Sequence, residues 1–372
     1  MEISESNLLH NISVIRDLIG AERKLMAVVK SNGYGHGIEE ISSLCLKAPV
    51  DWFGVNAIEE AIALRDAGIR IPIFILGYVA LEDLEDAVHY DTRLTVYNPD
   101  TIKRLETIGK KQNRKIPIHI KIETGTNRQG VHGEKLASLL ALVGECQFVT
   151  LEGVSTHFAN IEDTTDHSYA QYQLDQFRDI EKRYFNQKVP IRHTACSAAI
   201  LLFPETYFEM VRAGISMYGL WPSKQTRVSC SMKGKKIPAL KPVLTWKTKI
   251  AQIKDVADDS FISYGCTFRT TRDSKIAVLP VGYYDGYHRA FSNVSHVLIK
   301  GRRAPVRGRV CMNITLVDVT DIGDVAPEEE VVLIGKQGSE EITADHLASI
   351  AGTINYEIIT GINPTLERKI IP

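Results

Sequence analysis

A lysine directly after a short apolar run is the first feature with chemical potential: Lys30 in AVVKSNGYGHG. Burial disfavours an ammonium, and a neutral amine is the form that attacks a carbonyl or takes a proton. Glycines at 33, 35 and 37 let the backbone come close to a ligand, and Tyr34 sits among them. His157 follows a second apolar run in VSTHFAN, and Ser197 a third in HTACSAA. Arg212, Gly214 and Ile215 close a fourth, in VRAGISMYG. A hydroxyl at a helix start after one strand and a glycine after the next would form an anion cradle of backbone N–H groups. An amine and an anion clamp together are what pyridoxal phosphate requires, one for its aldehyde and one for its phosphate. Each residue alone also fits a plain role: Ser197 as a helix N-cap, Arg212 in a buried ion pair, His157 as a satisfied core histidine.

The elements that must position these groups follow from periodicity. Apolar runs at 25–29, 52–55, 71–76, 94–97, 116–122, 148–154, 191–194 and 210–215 read as strands. Amphipathic segments such as 58–67, 100–111 and 169–184 lie between them. Eight strand–helix alternations predict an α/β fold, a (β/α)8 TIM-type barrel. A doubly wound open sheet would show the same alternation; the count favours the barrel. In a closed barrel the first strand neighbours the last, so Lys30 and a phosphate site after strands seven and eight lie side by side. The stretch 224–241, basic and poor in periodic apolar residues, reads as a linker or exposed hairpin. Beyond it, runs at 243–256, 276–281, 296–300, 314–319 and 331–334 imply a mainly-β domain, with one helix at 343–351. The expected domains are therefore 1–235 and 236–372.

Composition sets the bounds. The 372 residues carry a formal net charge of −1 with no long basic run, which argues against a partner held through many phosphates of nucleic acid. No stretch has the length and apolarity of a membrane span. The six cysteines are scattered, with no C-x-x-C pair and no zinc spacing, so reduced thiols and no metal are expected. An acidic N-terminal stretch without an uninterrupted apolar core is unlike a signal peptide, and a cytoplasmic location follows as an expectation.

The segment AVVKSNGYGHG resembles the cofactor-lysine motif of the alanine racemases. KIETGTNRQGV, VRAGISMYG, ISYGCTF, VGYYDGYHR, GRVCMNITLVD and TINYE match later motifs of that family in order across both domains. The resemblance implies an amino-acid racemase with pyridoxal 5'-phosphate, an amino-acid substrate, and a homodimer whose active sites are each completed by the partner's β domain. It makes Lys30 the cofactor-binding base and the partner's Tyr264 the opposing base. It assigns the phosphate to Tyr34, Ser197, Gly214, Ile215 and Tyr356. Arg212 would face the pyridine nitrogen, and His157 would link it towards the partner's Tyr264. Arg128 would lie beside the cofactor oxygen and the substrate carboxylate, with Met312 and Tyr283 at the substrate end. Lys121 occupies the position of a lysine often carbamylated in the family; the alternating PIHIKI leaves open whether it points inward or to solvent.

The chemistry suits these types, since racemisation needs two groups flanking one carbon. Lysine and tyrosine, with reference pKa values of about 10, each need help to act as bases near neutrality. An arginine at the pyridine nitrogen would weaken the electron sink and so limit transamination and decarboxylation. The chain departs from the family pattern at Asn313, Cys196, Thr126, Asn127 and Glu123. These departures bear on substrate: alanine is the first expectation, with serine, lysine or another amino acid as alternatives. A non-catalytic pyridoxal-phosphate carrier is the reading of another class; it lacks a β domain and hence a counterpart to Tyr264.

Overall fold

The computed structural model describes residues 1–185, 189–234 and 237–372. It divides into two compact units, one of residues 6–33 and 41–241, the other of residues 1–5, 34–40 and 242–372. A short β1 (Glu2–Ser4) belongs to the second.

In the first unit, β2 (Lys24–Val28), β3 (Trp52–Val55), β4 (Ile73–Ile75), β5 (Thr92–Val96), β6 (Ile116–Lys121), β7 (Val149–Ser155), β8 (Ile191–His193) and β9 (Met210–Ala213) form one eight-stranded sheet. Neighbours pair in parallel in chain order, and β9 returns to pair with β2. Arg212 N donates to Ala195 O at 3.0 Å just beyond β8, bringing the sheet close to full closure. The expected barrel is therefore the observed one. Its strands are buried almost throughout β3, β4 and β9, as parallel strands covered on both faces must be. The helices between them are set by local signals. The helix Pro99–Gln112 starts where Asn98 accepts from Thr101 N, carries proline in its first turn, and ends at Asn113 with φ 48°.

The stretch read as a linker or hairpin, 224–241, instead begins with a helix, Lys224–Met232. Ser223 caps it by accepting from Thr226 N at 2.9 Å. Its buried face is Thr226, Ser229 and Cys230, while Val228 and Met232 are exposed. Small polar residues face inward and apolar ones outward, so hydrophobic periodicity gives no helical signal there. The expectation for residues 235 and 236 lies outside the described residues.

The second unit is mainly β. Its strands are β10 (Leu244–Lys249), β11 (Gln252–Val256), β12 (Phe261–Ile262), β13 (Phe268–Arg269), β14 (Ser274–Leu279), β15 (His296–Ile299), β16 (Arg302–Pro305), β17 (Thr315–Asp318), β18 (Glu330–Gln337), β19 (Glu340–Ile342) and β20 (Lys369–Ile371). β16-β15-β18-β10-β1-β20 form one sheet, with β19 on β18; β11-β14-β17 form another. The single run expected at 243–256 is thus two strands in different sheets, divided where Ile250 N turns to Glu329 O and Ala251 N to Val278 O. A helix at Ala344–Ala351 matches expectation, capped by Thr343; a second, Asn355–Thr360, escaped it.

Replacing Ser223 by alanine removes the cap and is expected to lower stability by about 1 kcal/mol. Val228→Ala, on the exposed face, should leave the denaturant midpoint unchanged; equal effects would contradict the observed helix orientation.

Candidate active site

The residues singled out by type and spacing fall into one cluster on the barrel and two groups on the β unit. On the barrel, Lys30 follows Val29 at the end of β2. The next residues adopt a conformation that L-amino acids avoid: Ser31, Asn32, Gly33, Tyr34 and Gly35 have φ of 55, 54, 60, 52 and 80°. Left-handed backbone costs roughly 1–2 kcal/mol per non-glycine residue, so other contacts must hold it. Gly33 N donates to Val29 O at 2.8 Å. Glu60, near the start of the helix Ile58–Asp66, accepts from Ser31 N at 2.5 Å and from Asn56 N at 2.7 Å. A Cβ on Gly35 would lie 1.9 Å from Ile359 O, so glycine here permits a close approach of backbone. Arg368 reinforces that contact, donating from Nη2 to Gly35 O at 2.9 Å.

Arg212 is buried at the end of β9, and among the described residues it has no carboxylate partner of the kind a buried ion pair would supply. Its acceptors are His193 O at 2.7 Å, Thr156 O and Thr194 O at 2.9 Å, and His193 Nδ1 at 2.8 Å. His157 Nδ1 lies 3.3 Å from its Nη2. Burial pulls the guanidinium down to about 10, with Arg128 adding to the effect and Cys196 opposing it. Burial likewise lowers the Lys30 ammonium, helped by Arg128 and opposed by Glu60. The Lys121 ammonium is pushed well below its ordinary value by burial, then by Arg212 and Arg128, against Glu123. His157 is pushed well down by burial and by Lys121, Arg212, Arg128 and Lys30. These five basic side chains therefore share one electrostatic environment.

Ser197 is the first residue of a short helix whose N-cap is Cys196. Its hydroxyl accepts from Gly214 N at 3.0 Å and Ser216 N at 3.3 Å, tying together the turns after β8 and β9 and leaving no role as an N-cap. Ile215 opens the turn that follows. The Cys196 thiol is buried, lies 3.9 Å from Glu162 Oε1 and is pushed up to about 11 by burial and by Glu162. The loop before Arg128 is organised by Glu123, which accepts from Gly125 N at 2.5 Å and Thr126 N at 2.6 Å. Although burial opposes it, these N–H groups with those of Asn127 and Arg128 hold the Glu123 carboxyl below its usual range. Asn127 takes φ 53°, which asparagine tolerates better than most residues.

On the β unit, the rings of Tyr34 and Tyr356 meet at 6.1 Å. Tyr264, Tyr283, Met312 and Asn313 line a cavity of about 520 Å³ with Arg289 and Arg309. Gly282 brings its walls together: Tyr283 N donates to Cys311 O at 3.0 Å and Tyr284 N to Met312 O at 2.9 Å. A Cβ on Gly282 would sit 2.2 Å from Cys311 O. Tyr264 is 74% exposed and Met312 54%, large side chains left in water by this chain alone.

Comparison with known proteins gives the family. The model of the alanine racemase N-terminal domain matches residues 3–222, and that of the C-terminal domain matches residues 243–370. The chain belongs to the alanine racemase family. It is an enzyme of that family, 40% identical over 375 residues to the alanine racemase of Leptospira interrogans, covering all of this chain and 95% of the relative. An alanine racemase of Methanococcus maripaludis is 39% identical over 372 residues, covering 99% of this chain and 97% of the relative. The structure of Bacillus anthracis alanine racemase with bound L-Ala-P superposes with a TM-score of 0.92 at 34% identity, over 100% of this chain and 94% of that one. Alanine racemase from E. faecalis gives 0.90 at 30% identity, over 100% and 97%.

Sequence reasoning missed Glu60, which braces the segment after Lys30, and the pair His193 and His119 behind Arg212. Glu60 carried a signal, as an acid in the first turn of an expected helix. His119 lies two residues before Lys121 and so on the same face of β6.

Proposed function

We propose that the enzyme interconverts L- and D-alanine with pyridoxal 5'-phosphate, using Lys30 and the partner subunit's Tyr264 on opposite faces of the substrate Cα. The observation that carries this reading is the placement of Lys30, its ammonium disfavoured by burial, just after β2, which pairs with the β9 that bears an Arg212 guanidinium held by carbonyls and imidazoles. The barrel turns fit the cofactor's phosphate. Ser216 Oγ is buried there with no hydrogen-bond partner among the described residues, beside the hydroxyl of Ser197. Ser197, Gly214 and Ile215 are assigned to the phosphate, together with the phenols of Tyr34 and Tyr356.

Pyridoxal phosphate, when bound, withdraws electrons from Cα and makes its proton removable. The chain's own residues do the rest. Lys30, its ammonium disfavoured by burial and by Arg128, gives up a proton at Nζ more readily than an ordinary lysine. Arg212 presents a fixed cation to the pyridine nitrogen, and a cation there disfavours its protonation. Arg128 is assigned to the substrate carboxylate, and Met312 and Tyr283 to the substrate end. The exposure of Tyr264, Tyr283 and Met312 in a single chain is what a homodimer with shared sites needs, since a partner would cover them. Lys121 is proposed to be carbamylated: a neutral amine adds carbon dioxide and releases a proton, turning a cation beside Arg128 into an anion. Its depressed basicity favours that reaction.

Circular dichroism of L- and D-alanine at saturating pyridoxal phosphate should decay to zero with the enzyme. Decay with serine or lysine in place of alanine would move the substrate and keep the reaction; decay with none would remove it. Shared sites make a second expectation. Lys30→Ala and Tyr264→Phe homodimers should each be nearly inactive, while co-expression should restore about a quarter of wild-type activity through mixed dimers with one intact site. No recovery would place both bases on one chain. A carbamate signal should appear in carbon NMR with labelled bicarbonate and vanish in Lys121→Ala; a wild-type spectrum without it would exclude the modification.

A further inference from the structure

Arg212 is the first member of a chain of hydrogen bonds that runs through the barrel interior. Its Nη1 lies 2.8 Å from His193 Nδ1, and His193 Nε2 lies 2.8 Å from His119 Nδ1. His119 Nε2 lies 3.1 Å from Glu152 Oε2, which is also 3.4 Å from Arg93 Nε. Both imidazoles have no solvent exposure, and burial lowers the basicity of each. Each neutral ring then carries one proton. Although burial opposes it, His119 and Arg93 hold the Glu152 carboxyl below its usual range, so it can only accept. His119 must therefore donate from Nε2 and accept at Nδ1. His193 must donate from Nε2 and accept at Nδ1, where Arg212 donates. The bonds therefore run one way, from Arg212, which can only donate, to Glu152, which can only accept, and each end demands the same His193 tautomer.

Two features of the backbone accommodate this chain. The pairing of β6 and β7 shifts register between Ile118 and His119: Ile118 faces Leu151 and His119 faces Gly153, leaving Glu152 as an extra residue. Such a bulge is uncommon between parallel strands and re-aims a side chain. Next to it, a Cβ on Gly153 would lie 2.6 Å from His119 Nδ1, so glycine makes room for the ring. Phe74 packs on both imidazoles, at 4.8 and 5.3 Å between ring centres, and fixes their planes.

We propose that His119 and Glu152 are positioning residues: they select the His193 tautomer that accepts from Arg212 and thereby hold the guanidinium in place for the reaction. The inference rests on the proposed role of Arg212. With Glu152 removed, His119 is free to donate from Nδ1. His193 would then turn an N–H towards an N–H of Arg212 across 2.8 Å, and the guanidinium would have to move.

The test is nitrogen-15 spectroscopy of the imidazoles in the full-length protein, with and without pyridoxal phosphate, alongside steady-state kinetics. Wild-type His193 should carry its proton on Nε2 alone. Glu152→Leu should give a mixture of tautomers and lower kcat by about tenfold, the scale on which outer groups that orient a reactive one act, with KM little changed. Glu152→Gln, whose amide oxygen still accepts, should restore both. A wild-type His193 protonated on Nδ1 overturns the proposal without any variant. A single tautomer kept in Glu152→Leu, or a mixture with unchanged kcat, overturns it as well. Because the tautomer is read without turnover, a wild type that fails to racemise alanine would refute the functional reading and leave this result standing separately.

Discussion

A guanidinium withdrawn from water keeps its charge, so every N–H it carries must meet an acceptor and its field must be absorbed by what surrounds it. Arg212 meets three backbone carbonyls and two imidazoles where a carboxylate would otherwise neutralise it. Its positive field therefore falls on the other bases of the rim. Arg212 is among the charges that depress the basicity of both Lys121 and His157. A site rich in basic residues can be poor in protons for this reason, and neutral amines are the form in which lysines act as bases. The histidines behind Arg212, the turn fixed by Ser197 and the strained segment after Lys30 all serve to keep a few nitrogen atoms where this field is strong.

That placement relies on close backbone packing more than on large side chains. Gly35, Gly153 and Gly282 each admit an atom that a Cβ would exclude, respectively a carbonyl, an imidazole and another carbonyl. The left-handed residues 31–35 are held by contacts at their ends: Glu60 on Ser31, and Arg368 with Ile359 around Gly35. Strain of this kind persists only where the surroundings over-determine it.

Much of this was readable in the residues themselves. The barrel followed from eight apolar runs buried on two faces, a pattern that survives without knowledge of partners. Lys30, His157, Ser197 and Arg212 could be singled out because each directly follows or ends such a run, and strand ends are where a barrel concentrates its chemistry. The helix Lys224–Met232 was hidden because its inward residues are Thr226, Ser229 and Cys230. Helix Asn355–Thr360 is too short for periodicity to speak, although it carries Tyr356. The face of Lys121 was left open by alternation alone, and the register shift at Ile118/His119 shows why pairing has to be seen. His193 and His119 escaped because a buried histidine has no signature until the atom it bonds is known.

The strand Glu2–Ser4 lies between β10 and β20, antiparallel to one and parallel to the other. Met1 reaches Glu367 O at 2.8 Å, across 366 residues of chain. Residues 34–40 also belong to the unit otherwise built from residues 242 onward. On a ribosome, then, residues 2–4 have no strand to join until β10, more than 240 residues later, has been translated. The barrel strands β3 to β8, by contrast, find their neighbours as they emerge, each pairing with the one before it, and only β9 must return to β2. The β unit is assembled across the longest sequence separations in the molecule and so carries the greater loop-closure burden. For this chain, vectorial synthesis favours the half that bears Lys30, and the half that bears Tyr264 is the later and more exposed to misassembly.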